Sequence, residues 1–253
     1  LHDDLEISGK KIAKIFKMLR LLNSTKIKKL IFITKNLHNF ISSEYFYNKK
    51  NYEILSDSSS IKINYNKIVS KKKLKIGYFG SIYHSRGIKF IINLSKLDSK
   101  NEYNIFGGKK NEIDKLKLRH RSINLNFYEQ IPYSKVEKYL YEMDILLMPY
   151  TKKATSTGDI GNIINFMSPM KMFDYLSSGK LIISSDIPVL REVLKHKNNA
   201  ILIKNYENLN EWRRYINNFN FNTDKLMVIS KNAQKIMKKV TWINRAKKII
   251  NIN

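Results

Sequence analysis

The chain has 253 residues, 43% of them hydrophobic, with 9 Gly and only 4 Pro, enough for one large domain or up to two smaller ones with real cores. Cysteine is absent, which excludes a disulfide scaffold, a thiol nucleophile and thiolate metal sites, and fits a reducing compartment. The formal charge of +26 points to anionic partners, but Lys, Asn and Ile recur along the whole length, so a compositional bias and a surface that favours anionic lipid are both open. Nucleic acid is not an expected partner, because no helix-turn-helix, RNA-recognition or zinc-finger signature occurs. No apolar run approaches the roughly 18 residues of a membrane span, and the N-terminus has no signal-peptide pattern. The chain is expected to be soluble.

In chain order, a helix over about 8–22 leads to the strand KKLIFIT (28–34), a helix over about 35–42 and a short extended stretch, YEILSDSS (52–59). One strand–helix unit cannot bury its own faces, so residues 1–60 are expected to be the tail of a first α/β domain. From residue 73 short apolar runs and helical stretches alternate. LKIGYFG (74–80) predicts a strand, IKFIINLSKL (88–97) a helix, and EYNIFGG (102–108) a strand ending in a Gly-Gly turn. A charged helix around 111–119, the strand INLNFYE (123–129) and the helix YSKVEKYLYEMD (133–144), capped at Ser134, come next. ILLMPY (145–150) is apolar without alternation, the mark of a strand covered on both faces. After a Gly/Ser/Thr/Asn-rich loop (151–165) come a helix from Ser168 to its stop at Gly179, the strand LIISSD (181–186), a short helix PVLREVLKH (188–196) and the strand AILI (200–203). Residues 207–253 predict helices, with Trp212 and Trp242 as packing anchors. Alternation at this spacing means right-handed βαβ units in a parallel sheet.

In such sheets ligands sit off the carboxyl ends of the strands. Three loops there carry chemistry. In FGSIYHSRG (79–87), Gly80 lets backbone approach a ligand and Arg86 offers a fork of donors for phosphate; a structural turn with a solvated Arg is the competing reading. MPYTKKATSTGDIGN (148–162) is a long polar loop that either closes over a ligand or merely connects. In FMSPMKMFDYLSSGK (166–180), Ser168 and Pro169 suit the N-cap and first helical positions, yet Lys171 puts a cation where the helix dipole disfavours one. The free N–H groups near Ser168, Pro169 and Met170, of which only Pro169 cannot donate, make an anion site that Lys171 would reinforce. Asp174, about 5 Å further along the axis, could accept hydrogen bonds from a ribose; an i,i+3 ion pair between Lys171 and Asp174 is the alternative. No Asp-x-Asp, no spaced His pair and no G-x-S-x-G elbow occurs, so neither a metal site nor a serine nucleophile is expected.

The order of these motifs resembles the C-terminal half of the retaining GT-B glycosyltransferases of the group 1 family (glycosyltransferase family 4). IGYFGSIYHSRGI is similar to the family's opening strand and loop, NIFGG to its next strand, and IPYSKVEKYLYEMDILLMPY, ending in Tyr150, to the run into the donor pocket. SPMKMFDYLSSGKLIISSDIPVLREVL resembles the donor-binding helix with its succeeding strand and helix, and TWINRAKKII the C-terminal helix. The resemblance implies a GT-B-type Rossmann-like parallel sheet with helices on both faces and an N-terminal domain that is truncated. By this reading residues 1–60 are the tail of the N-terminal, acceptor-side domain with the linker, 61–240 the nucleotide-sugar-binding domain and 241–253 a C-terminal helix. The implied activity moves a sugar from a nucleotide-diphosphate donor to a carbohydrate or lipid-linked acceptor hydroxyl with retention, in polysaccharide or glycoconjugate assembly. No cofactor and no metal are implied, the nucleotide sugar being a substrate. The implied location is cytoplasmic, with the inner face of the cell membrane open as a docking surface.

Carried over by position, Gly80 and Ser81 approach the diphosphate, Arg86 neutralises it, and Tyr150, Ser168, Pro169, Met170 and Lys171 line the donor pocket. Asp174 holds the ribose, and His2, in LHDD (1–4), matches a family histidine beside the donor sugar. Two departures stand out. The family's Glu-x7-Glu pattern falls on Phe166 and Asp174, and Ser81 stands where many members have Arg. A non-catalytic nucleotide-sugar-binding or scaffolding subunit is therefore the alternative.

Overall fold

Residues 24–44, 51–63, 68–82, 86–152, 154, 162–221 and 223–250 are described by a computed structural model of the chain. The expected helix over 8–22 and His2 lie outside them. A first, small unit pairs β1 (Leu30–Phe32) with β2 (Tyr52–Ile54) in parallel, with α1 (Lys35–Glu44) between them in sequence. It buries Phe32, Ile33, Leu37 and Ile41 as its own small core.

The main sheet has six strands, all parallel: β3 (Lys75–Phe79), β4 (Glu102–Phe106), β5 (Leu125–Tyr128), β6 (Ile145–Met148), β7 (Leu181–Ser185) and β8 (Ile201–Ile203). Their order across the sheet is β5-β4-β3-β6-β7-β8, the doubly wound arrangement expected from the sequence. Each strand of the centre is apolar on both sides because both sides are covered. In β6, Ile145 and Leu147 point to one core, and Leu146 and Met148 to the other. The helices α2 (Ile88–Leu97) and α3 (Lys110–Arg119) cover the first face, beside α6 (Leu209–Asn217). The helices α4 (Tyr133–Glu142) and α5 (Met170–Ser178) contribute Leu140, Met172, Phe173, Tyr175 and Leu176 to the second. The long helix α7 (Thr223–Lys239) reaches both faces, and α8 (Trp242–Ile250) comes after it. Gly179, at φ 68° where a side chain is strained, ends α5 as expected.

Three local expectations are corrected. Ser134 does not cap α4, which starts at Tyr133 directly after Pro132, because the fixed φ of proline already sets the helical entry one residue earlier. Residues 188–196 form only a short 3-10 turn, Leu190–Glu192, rather than a helix; His196 instead bridges to Ala200. Trp242 is 38% exposed and no residue of α8 is buried, so it is not a core anchor. Trp212 is one, fully buried and donating its indole N–H to the Tyr206 carbonyl at 3.2 Å.

The small unit is held to the sheet by polar contacts. The Glu192 carboxylate accepts the N–H groups of Lys35 (2.7 Å) and Asn36 (2.9 Å) at the start of α1. The linker 55–61 is tied to the C-terminal helices by the Arg245–Asp57 pair at 2.6 Å and by Ser58, which donates to the Val240 carbonyl at 2.6 Å.

Trp212→Ala is expected to lower the unfolding free energy by about 3–5 kcal/mol, since the site combines lost burial with an aromatic-sized cavity. A denaturant titration followed by circular dichroism checks this.

Candidate functional site

A cavity of about 420 Å³ opens where the strand order reverses, beyond the carboxyl ends of β3, β4, β5 and β6. Its floor is backbone. Gly80, at φ 141°, comes directly after β3, and a Cβ there would stand 2.7 Å from Lys171 Nζ. Gly107, at φ 145° after β4, has no room either, because a Cβ would come within 1.9 Å of the Gly80 carbonyl oxygen. The two turns thus interlock with no side chain between them. The Tyr78 hydroxyl donates to the Ser81 carbonyl at 2.7 Å and sets the path of the first loop.

One wall is the start of α5. Pro169, not Ser168, is the residue before the first helical turn, and no side chain caps that end. Pro169 is extended (φ −72°, ψ 117°), so Ser168 sits one residue too early to reach the free N–H groups. Ser168 faces away, into a separate cavity of about 460 Å³ shared with Thr34 and Glu192. Met170 and Lys171 take over the role expected of it: their N–H groups lie in the uncapped first turn at the cavity edge.

Lys171 does not pair with Asp174. Its ammonium lies over the Tyr78 ring, 3.9 Å from the centroid, and 5.7 Å from that of Tyr150. Burial pushes its pKa well below the ordinary lysine range, and the Arg86 guanidinium pushes the same way. Arg86 stands 5.9 Å from the centroid of Tyr150, whose own pKa is raised to about 12 by burial against the pull of Arg86. Among the described residues no carboxylate forms an ion pair with Lys171. This cation is therefore held at a cost that an anion in the cavity would relieve.

Asp174 lines the same cavity one turn deeper and is 7% exposed. Its Oδ1 accepts from Ser59 Oγ at 2.5 Å and from the Tyr133 hydroxyl at 2.8 Å. Burial raises its pKa while the two hydrogen bonds oppose the rise. Of the residues singled out in the sequence, the cavity brings together Gly80, Ser81, Arg86, Tyr150, Pro169, Met170, Lys171 and Asp174, and leaves Ser168 out.

The sequence reading missed Tyr133, Gln130, Ile131, Val136 and the Gly107–Gly108 pair as lining residues. Gly-Gly after an apolar strand was the available signal, since it repeats the strand–Gly pattern of Phe79–Gly80. The loop after β6 is anchored at its base by Asn162, whose Oδ1 accepts the Ala154 and Ile164 N–H groups at 3.1 and 3.2 Å. Among the described residues no group of three or more His, Asp and Glu is placed to hold a metal ion. No described helix is long and apolar enough to cross a membrane.

The chain is thus a doubly wound parallel α/β sheet with a crevice at its switch point. The chain belongs to the glycosyl transferases group 1 family, whose profile matches residues 61–236. No curated protein matches it in sequence. Among solved structures it is similar to Anabaena Alr3699/HepE in complex with UDP and glucose (TM-score 0.71, 14% identity, 99% of this chain and 70% of that one). It is also similar to an S. aureus TarM mutant in complex with fondaparinux, alpha-GlcNAc-glycerol and UDP (0.69, 17%, 99% and 48%). A third likeness is to WaaG, a glycosyltransferase involved in lipopolysaccharide biosynthesis (0.62, 14%, 97% and 72%). The chain spans about half of TarM and about 70% of the other two. The expected GT-B Rossmann-like fold is shown by these likenesses.

Lys171→Met is expected to raise the melting temperature of the ligand-free protein while weakening nucleoside-diphosphate binding by about tenfold or more, because it removes a desolvated cation together with its anion contact. Calorimetric melting and titration of the same variant check the opposed signs. The gain in stability should shrink as pH rises toward the ordinary lysine pKa. There the amine is neutral in the unfolded state as well as in the folded one, and the cost disappears.

Proposed function

We propose that this protein transfers a sugar from a nucleoside-diphosphate donor to a carbohydrate or lipid-linked hydroxyl with retention of configuration, in polysaccharide or glycoconjugate assembly. In this reading residues 61–240 bind the donor, 1–60 belong to an acceptor-side domain with its linker, and 241–253 form a C-terminal helix. One observation carries the donor half: the uncapped α5 terminus, Lys171 and the side-chain-free Gly80 turn meet in one cavity, where no carboxylate of the described residues pairs with Lys171. A diphosphate there gains backbone N–H donors, a helix dipole and a cation that is already desolvated. As the donor bond breaks, negative charge grows on the departing phosphate, and these groups are fixed where it grows. No metal is needed in this scheme. Asp174 supplies the acceptor for ribose hydroxyls. The UDP in the HepE and TarM structures supports a nucleoside diphosphate as the ligand class.

Titration with UDP, GDP and ADP and their sugars identifies the donor. Arg86→Ala and Lys171→Ala are each expected to weaken it about tenfold or more. Unchanged affinity in both would remove the diphosphate from this cavity. Chelation by EDTA is expected to leave turnover unchanged.

A second reading, a nucleotide-sugar-binding scaffold without turnover, draws on Phe166. Its ring packs 4.5 Å from that of Phe40, so no carboxylate is available at that place. Binding without transfer over the whole donor panel would favour it.

The charge of +26 also favours attachment to the inner face of an anionic membrane. Co-sedimentation with vesicles containing phosphatidylglycerol is expected at low salt and should fade as screening increases. Its absence at low salt rejects the attachment.

A further inference from the structure

Asp174 is held by two hydroxyls from different parts of the chain, and the hydrogen bonds around them run in one direction. Ser59 Oγ accepts the Ile61 N–H at 3.0 Å and the Tyr133 hydroxyl accepts the Ser60 N–H at 3.4 Å. With these backbone donors in place, each hydroxyl directs its proton to Asp174, and both reach the same oxygen, Oδ1. Oδ1 is thereby filled, while Oδ2 takes no hydrogen bond from a described residue.

The two donors stand on separate supports. Tyr133 opens α4 and lines the cavity; Ser59 lies outside the cavity lining, in the linker before β3. That linker is itself pinned on its other side by Asp57 to Arg245 and by Ser58 to Val240. Ser59 is therefore not free to follow Asp174 if the carboxylate turns. A carboxylate fixed at one oxygen from two directions has its plane set, and the second oxygen is presented without a search over rotamers.

From this we propose that Ser59 and Tyr133 are positioning residues that saturate Oδ1 of Asp174 and so commit Oδ2 to a pair of ligand hydroxyls, which makes the linker part of the donor site. The proposal rests on the ribose role given to Asp174 under the proposed function and adds the groups that orient it. It implies that discrimination between ribose and deoxyribose, rather than affinity for the diphosphate, depends on two side chains of which one never lines the cavity.

The test is isothermal titration of the full chain with the tightest binder among UDP, GDP and ADP, and with its 2′-deoxy and 3′-deoxy forms. The wild type is expected to prefer the ribonucleotide by about tenfold or more over at least one deoxy form. Ser59→Ala and Tyr133→Phe should each cut that preference to about threefold or less while changing affinity for the deoxy form less than about twofold. Ser59→Thr, which keeps the hydroxyl, should restore it. If the two variants lose ribo- and deoxy-affinity in parallel, or keep the full preference, the positioning role is overturned. Asp174→Asn separates the two levels. A preference that survives in Asp174→Asn overturns the ribose assignment itself, whereas one lost there but kept in Ser59→Ala and Tyr133→Phe overturns only the positioning. Failure of all three nucleoside diphosphates to bind overturns the donor-site reading on which both depend.

Discussion

Strands β3 and β6 stay paired for only two residues, Ile76↔Ile145 and Gly77↔Leu146, and their parting beyond that point is the constraint that creates the site. A ladder that stops early leaves backbone groups at the strand end in need of partners. The Phe79 N–H finds one in the Tyr175 hydroxyl of α5, at 2.7 Å. One side chain thus replaces a strand and ties the middle of α5 to the end of β3. The chain leaves β3 toward one face of the sheet through α2, and leaves β6 toward the other through α5. The two exits diverge, and the topology leaves a crevice between them that it cannot fill.

The groups at the rim of that crevice are chosen for their lack of bulk or for their charge. The interlocked Gly80 and Gly107 turns admit no Cβ, so the floor is peptide groups. Over that floor, Lys171 lies against an aromatic ring, with no carboxylate among the described residues to pair with it, and burial works against its charged form. A core selected for stability alone would place an apolar side chain there. Burial works against the charged form at Asp174 as well, but there Ser59 and Tyr133 work for it. The two groups, about one helical turn apart, thus have separate surroundings and do not pair with each other.

How much of this could be read in advance depended on whether a signal was local. The parallel sheet and its strand order are consistent with apolar runs and intervening helices, and ILLM could be placed on a doubly covered strand because it lacks alternation. The misplaced lysine in SPMKMFD was legible for the same reason: capping rules and dipole rules act within one turn. Where those rules were pushed to single-residue precision they failed, as at Ser168 and Ser134, since proline shifted the helix start in both places. Tyr133 and Ser59 were invisible for a different reason. Nothing within their own stretches sets them apart. They matter because α4 and the linker converge on Asp174 from 41 and 115 positions away in the chain.

Phe166 is close to α5 in sequence but does not line the crevice. The groups that meet in the crevice come from the ends of β3, β4, β5 and β6 with their loops and from α4 and α5, all on the main sheet. Phe166 lies just ahead of α5 but turns to the small β1–α1 unit, packing on Phe40 while its carbonyl accepts from Thr34 at 3.3 Å. Its position belongs to the joint between the two units rather than to the crevice. A carboxylate there would have to give up that aromatic packing and lose apolar burial against α1. The aromatic packing therefore serves the joint and leaves the crevice untouched. Under the proposed function, a group acting on the sugar comes from another part of the cleft, while the diphosphate and ribose contacts come from the main sheet, its helices and the linker that orients Asp174.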